Sequence, residues 1–91
     1  MFIVVSYDIT DDKRRNKVAD TLKNYGTRVQ YSVFECLLDV AYLEKLTREL
    51  SVLINKEEDT VRIYRLCQSC IEKIRVLGKG KITQDSDFFI V

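Results

Sequence analysis

The chain contains no histidine. That removes the commonest general base, so any hydrolysis carried out here must rest on a carboxylate, a metal-bound water, or both. Cysteine is sparse, at Cys36, Cys67 and Cys70. Cys67 and Cys70 form a C-x-x-C pair, a spacing that suits zinc or redox chemistry. Zinc takes four ligands, and three thiols with no imidazole cannot complete the set. A thioredoxin-like pair opens a helix, whereas this one falls between two strand-like runs, so the expectation is reduced structural thiols. There is no proline, no repeat and no low-complexity stretch. A basic leader, a cleavage site and a long apolar run are also missing, which predicts neither export nor a membrane span and makes the cytoplasm the expected compartment.

What remains is the composition of one folded domain spanning residues 1–91. A domain this small buries a modest share of its surface and often gains from a partner chain. The net charge is only +1, but it is unevenly spread. Lys13, Arg14, Arg15, Lys17, Lys23 and Arg28 crowd one segment with a single acid, Asp20. Lys73, Arg75, Lys79 and Lys81 crowd another with Glu72. Two basic segments on a near-neutral chain suit one cationic surface of the kind that nucleic acid needs, although solvated helix faces give the same pattern.

Residues 2–9 read as a strand with Phe2, Val4, Ser6 and Asp8 on one face and Ile3, Val5, Tyr7 and Ile9 on the other. Both faces are largely apolar, which predicts a central strand. Residues 11–25 read as a helix capped by Thr10 or Asp11, with Val18, Leu22 and Tyr25 as its buried stripe and Gly26 as its stop. The β-rich run 27–39 is too long for one strand and breaks its period near Tyr31 and Ser32, where a bulge or bend is expected. A second helix over 40–54 turns Leu43, Leu46, Leu50, Leu53 and Ile54 inward. A charged loop at 55–59 precedes strands at 60–66 and 70–78, a basic loop at 78–81 and a terminal strand at 86–91. The first part of this order is the split βαβ, or ferredoxin-like, pattern of an α+β domain. Both helices then cover one face of an antiparallel sheet, and the bare apolar face predicts pairing with a second copy.

The stretches VVSYDITDD, RRNKVADTLKNYG, RVQYSVFEC, NKEEDTVRIYRL and DSDFFIV resemble the CRISPR-associated adaptation endonuclease family, the smaller of the two spacer-acquisition proteins. The resemblance covers nearly the whole chain. It implies a homodimer packed sheet to sheet, with the basic loop and terminal strand of residues 79–91 reaching the partner's sheet. It also implies a Mg²⁺- or Mn²⁺-dependent endonuclease that acts on RNA or DNA, and assembly with the larger integrase subunit. Position by position, Asp8 matches the metal-binding acid and Tyr7 its neighbour. Arg15 and Arg28 match basic positions of the active cleft, and Phe34 its phenylalanine. Lys17 stands where some members carry arginine, and a lysine cannot form the bidentate fork.

One metal shared by two Asp8 side chains across a two-fold axis is chemically reasonable, because Mg²⁺ is usually held by one or two carboxylates and several waters. The expected phosphate contacts are Lys13, Arg14, Arg15, Lys17, Arg28, Lys79 and Lys81, set against duplex DNA or single-stranded RNA. The alternative is a ferredoxin-like interaction module without catalysis.

Overall fold

Strand β1 (Phe2–Asp8) is flanked on both sides: the sheet order is β2-β3-β1-β4, with β2 over Gly26–Gln30, β3 over Val33–Leu37 and β4 over Thr60–Leu66. All neighbouring pairs are antiparallel. Helices α1 (Asp12–Lys23) and α2 (Val40–Leu53) complete the βαββαβ order of a ferredoxin-like α+β fold, and a short helix α3 (Gln68–Ile71) follows β4. The computed structural model describes residues 1–84. The terminal strand expected at 86–91 lies outside the described residues, as does the reach of that segment toward a partner. No helix among the described residues is long and apolar enough to cross a membrane.

Both helices lie on one face of the sheet. Ile3, Val5 and Tyr7 of β1 pack with Val18, Ala19 and Leu22 of α1 and with Leu46 and Leu50 of α2, around fully buried Phe34 and Cys36 of β3. Fully burying an Ile, Leu or Phe is worth about 1.5–3 kcal/mol, so this cluster is what holds the domain together. Helices α1 and α2 each begin at an aspartate. Asp11 accepts a hydrogen bond from the Arg14 amide, and Asp39 accepts one from the Tyr42 amide. These contacts satisfy donors that a helix start leaves open.

The long β-rich run forms a hairpin that turns at Tyr31 and Ser32, with a register shift between Arg28 and Gln30. Gly26 serves a purpose other than stopping α1, whose C-cap residue is Asn24. A Cβ at position 26 would lie 2.4 Å from the Glu35 carbonyl oxygen and 2.5 Å from Cys36 Sγ. The glycine therefore allows β2 to approach β3 closely.

One expected element is absent. Residues 70–78 do not form a strand: the chain enters α3 and then runs irregularly to residue 84. A short apolar run of this kind does not distinguish strand from helix by period alone. Gly78 (φ +84°) and Gly80 (φ +118°) adopt the left-handed region where the segment turns back, a region that favours glycine. The segment ends on β3, where the Thr83 hydroxyl donates to Glu35 Oε1 at 2.7 Å and the Thr83 amide donates to the same oxygen at 3.2 Å.

Candidate functional site

The C-terminal end of β1 divides chemistry between the two faces of the sheet. Tyr7 points into the helix-covered core, and the next residue, Asp8, stands exposed on the opposite, open face. Strand alternation alone dictates this separation. Asp8 is in register with Thr60 of β4, and Ser6, two residues back on the same face, is in register with Arg62. Among the described residues, Asp8 has no hydrogen-bond or ion-pair partner, and no group of three or more His, Cys, Asp or Glu side chains could hold a metal ion. One chain thus supplies a single available carboxylate, and Arg62 lies on the same open face with its guanidinium 3.5 Å from the Tyr64 hydroxyl.

On the core side of the same strand end, the structure brings together Tyr7, Arg15, Arg28 and Phe34 around Tyr31. The Tyr31 ring, 69% exposed at the hairpin tip, has the Arg15 and Arg28 guanidinium carbons at 6.0 Å and 5.9 Å from its centroid. Arg28 also lies 5.3 Å from the Phe34 centroid and makes a long 3.5 Å contact to the Tyr7 hydroxyl. That hydroxyl donates to the Tyr31 carbonyl at 3.3 Å. Tyr7 is buried and Phe34 is fully enclosed, so both support Arg28 from beneath and neither reaches the surface. Arg15 is largely occupied with its own loop. Its guanidinium donates to the carbonyls of Ile9 and Thr10 and pairs with Asp12, and its buried Nε has no partner.

The basic residues expected to meet phosphate fall into different environments. Arg14 is committed internally. Its Nε donates to Asp59 Oδ2 at 2.8 Å, and its Nη2 donates to Asp59 Oδ1 at 3.2 Å and to Glu58 at 2.9 Å. Asp59 also accepts from the Asn55 amide at 2.8 Å. These bonds hold its carboxyl below the usual carboxylate range. The expected phosphate contact at Arg14 is thus an internal clamp, because a buried acid 45 positions away occupies the guanidinium. Lys13 and Lys17 lie exposed, one turn apart on α1. Arg28, Arg75, Lys79 and Lys81 line one cleft of about 760 Å³ between the β2–β3 hairpin and the returning segment.

Sequence reasoning missed two contributors, Tyr31 and Arg62. Tyr31 carried a signal only as the break in strand period. Arg62 joins Asp8's face only once the β1–β4 register is known. The C-x-x-C pair also differs from expectation: Cys67 is the residue that caps α3, so the pair opens a helix.

A family model described as CRISPR associated protein Cas2 matches residues 1–74. The chain is similar to the CRISPR-associated endoribonuclease Cas2 3 of Chloroflexus aurantiacus, at 44% identity over 91 residues, covering all of this chain and 98% of the relative. Among solved structures it is similar to Streptococcus pyogenes Cas2, with a TM-score of 0.76 and 32% identity over 86% of this chain and 100% of that one. It is also similar to a chain of a partial Cas6-RT-Cas1–Cas2 complex, with a TM-score of 0.75 and 30% identity over 84% of this chain and 89% of that one.

Proposed function

The chain belongs to the CRISPR-associated Cas2 family, and on that premise we propose that it acts as a dimeric, DNA-holding subunit of spacer acquisition whose Asp8 carboxylates support metal-dependent phosphodiester hydrolysis. The observation that carries this reading is Asp8 itself: exposed, unpartnered among the described residues, and on the sheet face that no helix covers. An unpaired carboxylate at a strand end is a poor stabilising feature and a good ligand for a hard cation. One carboxylate per chain falls short of a site. A second copy related by a two-fold axis would supply another, and that donor set fits Mg²⁺ or Mn²⁺, which accept oxygen ligands and retain waters.

When bound, such a cation polarises a phosphodiester and orients a water. The chain's own residues do the rest. Asp8 would hold the ion, and Arg62 on the same face would offer positive charge to a phosphate oxygen. With no histidine available, proton removal falls to the carboxylates or to solvent, so turnover is expected to be slow. The Chloroflexus relative is named an endoribonuclease, which favours RNA as one substrate. The solved complex that contains Cas1 favours the integrase as partner.

The DNA-holding part rests on exposed Lys13 and Lys17 and on the cleft lined by Arg28, Arg75, Lys79 and Lys81. These residues suit phosphates and not base edges, so binding should show little sequence preference.

The test is hydrolysis of a short single-stranded RNA and of duplex DNA, with and without Mg²⁺, by wild type and Asp8→Asn, beside integration assays with Cas1. The expected result is that Asp8→Asn and chelator each reduce hydrolysis to background while the dimer persists by light scattering. Integration retained by that variant would assign Asp8 to hydrolysis and leave the holding role to the basic residues. Hydrolysis at the wild-type rate in Asp8→Asn would overturn the metal assignment and favour an interaction module without catalysis.

A further inference from the structure

Cys67 and Cys70 stand apart from the Asp8 face and from the basic cleft. Both are exposed, and their sulfurs lie 3.3 Å apart. The turn that holds them is defined: Cys67 caps α3, and its carbonyl accepts hydrogen bonds from the Cys70 and Ile71 amides at 3.0 Å each. The Ser69 hydroxyl lies 3.2 Å from Cys67 Sγ. Cys67 also lines a cleft of about 480 Å³ with Phe2, Arg65, Leu66 and Ile71. The cleft's lining combines apolar side chains with Arg65 and Gln68.

We propose that Cys67 and Cys70 form a reactive dithiol that a low-molecular-weight disulfide, such as oxidised glutathione, converts reversibly to an intramolecular disulfide. A disulfide needs about 2.05 Å between sulfurs, so closure requires an approach of roughly an ångström by two exposed side chains. Cys67 is the attacking thiol. Hydrogen bonds from Ser69 and Cys70 lower its pKa to about 7, which leaves a large thiolate fraction near neutrality. Cys70 is pushed the other way by its hydrogen bond to Cys67 and the adjacent charge, so it retains its proton until the second step. Cys36 is excluded from this chemistry. It is buried in the core, and burial pushes its thiol up to about 12.

The steps balance. The Cys67 thiolate attacks one sulfur of the small disulfide, forming a mixed disulfide and releasing one small thiolate. Cys70 then loses its proton to solvent and attacks Cys67 Sγ, forming the Cys67–Cys70 bond and releasing the second small thiolate. Two protein thiols are oxidised and one disulfide is reduced to two thiols.

The test treats the reduced full-length protein with oxidised glutathione, quenches by alkylation and reads the products by mass. Wild type is expected to lose two hydrogens, to place the bond between Cys67 and Cys70, to leave Cys36 free, and to revert in dithiothreitol. Cys70→Ser is expected to stop at a glutathione adduct on Cys67, and Cys67→Ser to form little adduct at all. Thiols unchanged in wild type, a stable adduct that never closes, or bridges only between chains would each overturn the proposal. Adduct formation on Cys70 at the wild-type rate in Cys67→Ser would overturn the assignment of Cys67 as the attacking thiol.

Discussion

Arg14 and Asp59 show how a single side chain's role depends on its partner. By position in the chain, Arg14 belongs to a basic cluster. By contact, it is one half of a clamp that joins α1 to the loop before β4. Because Asp59 titrates below its ordinary value of about 3.8, the clamp's contribution is present above that pH and is lost as pH falls through the depressed folded value. Asp59→Asn is therefore expected to lower the thermal midpoint by several degrees at neutral pH. The gap between variant and wild type should narrow at pH values below about 3.8, as wild-type Asp59 itself becomes protonated. Calorimetry across that range checks this, and a gap that stays constant down to the most acidic point would remove the linkage.

At the scale of elements, the hairpin of β2 and β3 depends on one missing side chain. Gly26→Ala places a Cβ against backbone as well as against Cys36, and backbone cannot rotate away. The expected cost is about 1–3 kcal/mol, of the order found for overpacked sites. For a domain of this size that corresponds to a fall in thermal midpoint of roughly 4–8 °C per kcal/mol. An unchanged midpoint would show that β2 can shift away from β3. Residues 70–78 depart from the expected strand for a related reason. Their apolar side chains suit a strand as well as a helix, and nothing local reveals that no sheet edge receives them.

At the scale of the molecule, the open face of the sheet carries half-buried Val4, Leu37 and Leu66 and exposed Tyr64 together with Asp8. Tyr64 is 46% exposed there, which is a surface a small domain normally covers. If a second copy covers it, Tyr64→Glu should shift the protein to monomer by light scattering, and deletion of residues 86–91, which carry Phe88, Phe89, Ile90 and Val91, should weaken the dimer. A dimer of wild-type stability in both variants would place the interface elsewhere. Nucleic-acid binding belongs to this scale too. Lys13→Ala with Lys17→Ala should flatten the dependence of log affinity on log salt by about 0.9 for each phosphate that is no longer neutralised, equally for unrelated duplexes. Arg14→Ala should lower stability and leave that slope unchanged, and the reverse pattern would reassign the grip.

Local periodicity was enough to determine α1 and α2, the bounds of β4 and the parity of β1, because alternation and helical repeat are properties of the backbone that hold wherever the element is placed. Parity alone put Asp8 on the face away from the helices, and Val18 and Leu22 of the buried stripe of α1 followed from spacing in the same way, whereas Tyr25 is buried beyond the Asn24 C-cap. Only the tertiary structure decided that Arg14 meets Asp59, that Arg28 rests on Phe34 beside Tyr31, that Arg62 shares a face with Asp8, and that the C-x-x-C pair opens a helix. The first and third join residues far apart in the chain, and the second depends on how β2 and β3 pair across their hairpin; such pairings are set by strand register and by which buried group most needs a partner. The last depends on whether a sheet edge is available to a short apolar run. Neither condition is expressed in the few residues on either side.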